Sequence, residues 1–144
     1  MFSYFDHTAD LGMRVESDSL ELLLADAGIG LTAMLVERPE RIAAKTESEI
    51  RITALNLEYL FFDWLNELLY QFESDRRIAA GFPHIQVRDE REAGGHLELT
   101  ATVIGDEFRP TEHLYGHEVK AITYHGLTIE RVGDQWVAEV IVDI

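Results

Sequence analysis

The segment from Leu57 to Phe72 constrains the fold more than any other part of the chain. Leu57, Leu60, Phe61, Trp64, Leu65, Leu68, Leu69 and Phe72 recur at spacings of three and four residues, so a helix here carries one continuous apolar stripe. A stripe of that size is stable in water only when other elements cover it. Asn56 stands where an N-cap is needed. Glu67 follows Trp64 by three residues and precedes Leu68, which puts a carboxylate on the flank of the stripe, at the border of the core.

A second stripe, Leu20, Leu23, Leu24, Ala27, Leu31, Met34 and Leu35, predicts an earlier helix. Asp18 followed by Glu21 resembles a capping box with Asp in the usual Ser or Thr position. Pro39 is expected to stop this helix. Gly28 and Gly30 each cost a helix roughly 1 kcal/mol against Ala, so they point to close packing or a loosened turn. The remaining chain alternates like strands: Leu11 to Glu16, Glu49 to Thr53, Ile85 to Arg88, Leu97 to Ile104, Val119 to Tyr124, Thr128 to Val132 and, after a Gly133-Asp134 turn, Trp136 to Val142. The fold expected is a single α+β domain over residues 1–144, with two amphipathic helices packed on a largely antiparallel or mixed sheet. Both faces of Trp136 to Val142 are mostly apolar, which suits a central strand ending in the acid Asp143.

Charge narrows the function. Acidic residues number 27 against 12 basic, a formal charge of −15. Nucleic-acid binding draws its affinity from Lys and Arg on phosphates, so direct RNA or DNA binding is not expected; cations or a basic protein partner suit this surface. The chain has no cysteine, which excludes disulfides and thiolate metal sites. No apolar run approaches the roughly 20 residues of a membrane span, and Met1 to Asp10 lacks the basic and apolar zones of a signal peptide. A cytoplasmic protein without membrane contact is the simplest expectation.

The segment Phe5 to Gly12 carries Asp6, His7, Thr8 and Asp10. Taken alone it fits two readings: a polar turn in which Thr8 and Asp10 bond to backbone amides, or part of an oxygen-ligand site for a hard cation. His113 and His117 are four apart, but Pro110 and Gly116 argue against a helix there, so a surface loop is expected. His125, beside Gly126, reads as a buried, hydrogen-bonded histidine. Tyr59, Phe61, Phe62 and Trp64 read as core rather than as a binding platform. The serines offer no arrangement with His and Asp suited to nucleophilic catalysis.

Four blocks together resemble the archease family: Tyr4-Phe5-Asp6-His7-Thr8-Ala9-Asp10-Leu11-Gly12, then Asp63-Trp64-Leu65-Asn66-Glu67-Leu68-Leu69-Tyr70, then Glu118-Val119-Lys120-Ala121-Ile122-Thr123-Tyr124-His125, and finally Val140-Ile141-Val142-Asp143-Ile144. They run from end to end in the family's order. The resemblance implies an accessory protein of the GTP-dependent RNA-splicing ligase of the RtcB type, one that promotes guanylylation and repeated turnover without joining RNA itself. It also implies a divalent cation, taken as calcium. By position, Asp10 and Asp143 match the family's acids, Ile144 follows as a backbone-oxygen ligand, and Glu67 matches the helix acid beside the site. His7, Lys120 and His125 match further family positions without an assigned role. Converging Asp10, Glu67 and Asp143 would raise one another's pKa without a cation, and oxygen ligands favour Ca²⁺, Mg²⁺ or Mn²⁺ over zinc. Two other classes stay open on the residues: a metal-dependent phosphoesterase using His7 or His125 as base, and a general chaperone-like factor.

Overall fold

Trp64 is fully buried, and its indole nitrogen donates a 2.8 Å hydrogen bond to the Leu24 carbonyl. That bond joins helix α2 (Leu57–Asp75) to helix α1 (Leu20–Leu35). The computed structural model describes residues 1–7 and 10–144, without the side chain of His7. Seven strands, β1 (Phe2–His7), β2 (Asp10–Ser17), β3 (Thr46–Ala54), β4 (Arg77–Asp89), β5 (Leu97–Glu107), β6 (Ala121–Val132) and β7 (Gln135–Asp143), are described with the two helices and a one-turn helix α3 (Pro110–His113). The strands form two sheets, in the orders β1-β2-β7-β6 and β3-β5-β4, with every pairing antiparallel. The α+β expectation holds, with two separate sheets in place of one.

Each helix packs against both sheets: α1 against β2 and β4, α2 against β6 and β3. This explains why α1 is buried around most of its circumference and why its glycines are there. A Cβ on Gly28 would sit 2.6 Å from the Phe82 ring, and one on Gly30 would sit 2.5 Å from Met13 Sδ. Close packing, and not a loosened turn, is their role. Asn56 caps α2, its Oδ1 accepting from the Tyr59 amide at 2.8 Å, and the cap of α1 is Ser19, whose Oγ accepts from Leu22. Asp18 therefore stands one residue outside the helix and instead accepts from the Gln135 amide. Helix α1 ends at Leu35, short of Pro39, which opens a separate 3-10 turn.

Other departures from expectation have local causes. β1 went unanticipated because Phe2 to His7 mixes polar and apolar residues; it is an edge strand with one neighbour. The two expected strands flanking Gly126 are one strand, β6, whose register slips between Thr123 and Thr128. His113 is fully buried, not on a surface loop: its Nδ1 accepts from the Arg109 amide at 2.9 Å and its ring stacks on Phe108. His125 is exposed, not buried. Tyr59 is also outside the core, 46% exposed and stacked on Tyr124 at 5.3 Å. Phe61 and Trp64 are core as expected, with Phe62 half-buried.

At the end of β5, the buried Asp106 accepts from the Arg109 guanidinium, with Lys45 at 3.9 Å and the Glu107 amide donating at 2.8 Å. Arg109 holds the Asp106 carboxyl below the ordinary carboxylate range, against the opposing effect of burial. A depressed native pKa stabilises the fold above the unfolded value of about 4 and loses that contribution as pH falls toward the native one. Urea unfolding should therefore show a steeper stability loss below pH 4 for the wild type than for Asp106→Asn, which should be less stable by about 1–2 kcal/mol at pH 7. Parallel acid profiles for the two proteins would contradict this.

Candidate functional site

Antiparallel register places Asp10 directly opposite Asp143 on the β2–β7 pair. The same row continues to His7 on β1 and Ala121 on β6, so four strands contribute to one line across the sheet. Alternation fixes which way the two acids point. Leu11, Met13 and Val15 on β2, with Val142, Val140 and Ala138 on β7, turn into the core. Asp10 and Asp143 therefore project from the opposite face, where Arg14 and Glu139 pair at 3.1 Å further along the same two strands. Both acids are half-buried.

The next row on this face is Phe5, Gly12, Ile141 and Thr123. Gly12 is needed there: an added Cβ would lie 2.1 Å from the Phe5 ring, which folds over the glycine. Thr123 Oγ1 donates to the Ile141 carbonyl at 2.8 Å. The Lys120 amide donates to the Asp143 carbonyl at 2.8 Å, fixing the β7 end against the start of β6. Ile144, one residue on, packs its side chain against the core.

Two carboxylates in direct cross-strand opposition, with Cβ atoms about 5 Å apart, form a place of concentrated negative charge with hard oxygen donors. Such a pair fits one hard cation, supplied with further oxygens by water or backbone. Among the described residues, no group of three or more His, Cys, Asp or Glu side chains is close enough to hold a metal ion. Thr8 lies outside the described residues, as does the side chain of His7.

Glu67 belongs to α2, beside a groove that also reaches Ala121, the register partner of Asp143. It lines this groove of about 610 Å³ with Asp63, Tyr70 and Glu73 of α2, Arg51 of β3 and Lys120. Its Oε1 accepts from Gln71 at 3.3 Å. Burial pushes the Asp63 carboxyl up from its ordinary value. Lys120 is common to the two places: it is among the residues lining the groove, and its amide donates to the Asp143 carbonyl. His125 sits apart from both, on the irregular part of β6 beside Tyr124. Burial, and then the nearby Tyr59 and Glu58, raise the Tyr124 phenol above its ordinary value. The reading of the sequence missed Arg51, Tyr70 and Glu73. A signal existed in Tyr59, Asp63, Glu67, Tyr70 and Glu73, which repeat at three- and four-residue spacing on the side of α2 away from its apolar stripe.

The sequence model of the Archease protein family (MTH1598/TM1083) matches residues 2–144. The protein archease of Methanosarcina mazei is 34% identical over 143 residues, covering 99% of this chain and 95% of its own length. That of Pyrococcus furiosus is 33% identical over 144 residues, covering 99% and 98%. The solution structure of Methanobacterium thermoautotrophicum protein 1598 superposes with a TM-score of 0.80 at 30% identity, covering 99% of this chain and 98% of that one. The crystal structure of a Thermotoga maritima archease, described as a possible chaperone, gives 0.59 at 26% identity over 97% and 94%. The α+β fold described above is thus shared with solved archease structures. The chain belongs to the archease family.

Like charges directly opposite in a sheet weaken it. With a chelator present, Asp143→Asn is expected to raise the free energy of unfolding by about 0.2–1 kcal/mol, read from the urea midpoint. Destabilisation under those conditions would show that the pair is held by something other than mutual repulsion relieved by a ligand.

Proposed function

We propose that this protein assists the GTP-dependent RNA-splicing ligase of the RtcB type, promoting its guanylylation and repeated turnover, and that Asp10 and Asp143 hold a divalent cation for that role. The observation that carries the reading is the direct opposition of Asp10 and Asp143 on the outer face of the β2–β7 pair. Family membership supports the accessory role. The donor set is hard oxygen only, which suits calcium, with magnesium or manganese next. Bound there, the ion would cancel the repulsion between the two carboxylates and present a positive centre at the surface. Ile144 would contribute a backbone oxygen, and Glu67 and Lys120 would act from the neighbouring groove. His7 and His125 are further candidates by family position. Binding of RNA by this chain itself is not part of the proposal, since a net charge of −15 opposes it. A cytoplasmic setting goes with the role; no described helix is long and apolar enough to cross a membrane.

The test is a guanylylation assay of an RtcB-type ligase with and without this protein, repeated with chelator. Wild type should stimulate; Asp10→Ala and Asp143→Ala should lose at least about tenfold of the stimulation while keeping a cooperative unfolding transition. Calcium at a hundred times its Kd should stabilise the wild type by about 2.7 kcal/mol and leave both variants unmoved. Full stimulation by both variants would sink the site. Hydrolysis of phosphoesters without any partner would favour an enzyme instead. Equal suppression of aggregation for unrelated clients would favour a general chaperone.

A further inference from the structure

Edge strands are where a sheet is open to another chain, and proteins blunt them with bulges, prolines or shortness. Two of the four edges here are broken: β4 shifts register twice between Ala79 and His84 and carries Pro83, and β6 slips between Thr123 and Thr128, while β1 spans six residues against the nine of β3. β3 is different. Its nine residues pair with β5 in unbroken register from Thr46 to Ala54, with no proline, and among the described residues its other side has no strand partner.

That open side borders the groove floored by α2. Ile52 is half-buried at the groove wall, Tyr70 is 60% exposed, and Asp63, Glu67 and Glu73 run along the helix. The groove's two cations, Arg51 on β3 and Lys120 just before β6, stand off the helix, so its negative charge is concentrated on α2. A strand added to β3 would satisfy main-chain groups and send alternate side chains toward α2. Long basic side chains fit best: their aliphatic stems can lie on Ile52 and the Tyr70 ring while their heads reach the carboxylates.

We infer that the β3 edge and the outer face of α2 form a docking groove for an extended, basic segment of a protein partner, taken up by strand addition. The inference rests on the reading of this chain as a protein that assists another. Charge complementarity selects the occupant, since the chain carries −15 overall.

A synthetic octapeptide of alternating lysine and valine is the probe, with its glutamate counterpart as control. Saturable binding of the basic peptide alone is expected, with amide exchange slowed within Thr46–Ala54. Tyr70→Ala, which changes no charge, and Glu73→Lys should each raise Kd by about threefold or more. Glu92→Lys, with the same change of net charge on the distant Arg91–Ala93 turn, should stay within about twofold of wild type. No saturable binding, slowing elsewhere, or equal losses from Glu92→Lys and Glu73→Lys would overturn the inference, the last by exposing a diffuse charge effect. In parallel, wild type and the two groove variants are titrated with an RtcB-type ligase. Weaker association of both variants supports the groove as the ligase's docking place, and unchanged association refutes that assignment. If wild type itself neither binds nor stimulates the ligase, the proposed function fails, and the peptide result still decides the groove.

Discussion

The indole of Trp64 is the constraint on which the layered structure turns. A large ring buried without a partner for its N–H would cost about 1–3 kcal/mol, so α2 must approach α1 closely enough to reach the Leu24 carbonyl. The same ring meets Phe82 of β4 edge-on at 5.2 Å, and Phe82 in turn occupies the space that Gly28 leaves open on α1. One side chain thus sets the spacing of both helices and of the sheet beneath them. With the helix pair locked, the two sheets close on it from opposite sides.

Much of this was legible in the sequence, because hydrophobic period is a direct trace of burial. The α2 stripe, its Asn56 cap and the central place of β7 all follow from spacing alone. The separation into two sheets was not legible, since each strand's alternation shows that one face is covered but not by which partner. Histidines were misread in both directions: His113 is held inside by a bond from the Arg109 amide, a contact that depends on the chain's reversal after β5, while His125 is carried out to solvent by a register slip in β6. At the candidate site, periodicity indicated Asp143 as the end of a central strand. Its opposition to Asp10 required the pairing of β2 with β7, which no local pattern encodes.

The acidic character of the surface has two distinct expressions. On the outer face of the β1-β2-β7-β6 sheet, two carboxylates oppose each other at one register position. Along α2 they are spread over several turns and interleaved with tyrosine, an arrangement suited to longer side chains. Lys120 connects them through the backbone, because the amide that closes the β6–β7 ladder at Asp143 belongs to a residue lining the groove.

The pairing of β2 with β7 has a kinetic consequence. Nearly the whole chain lies between Asp10 and Asp143, so bringing them together closes one of the longest loops the molecule can form. Contacts of such separation are entropically slow to make and set the pace of folding in antiparallel proteins. The acid pair forms only when the two ends of the chain meet as β2 and β7. A ligand held by both acids would consequently require β2 and β7 to be paired already.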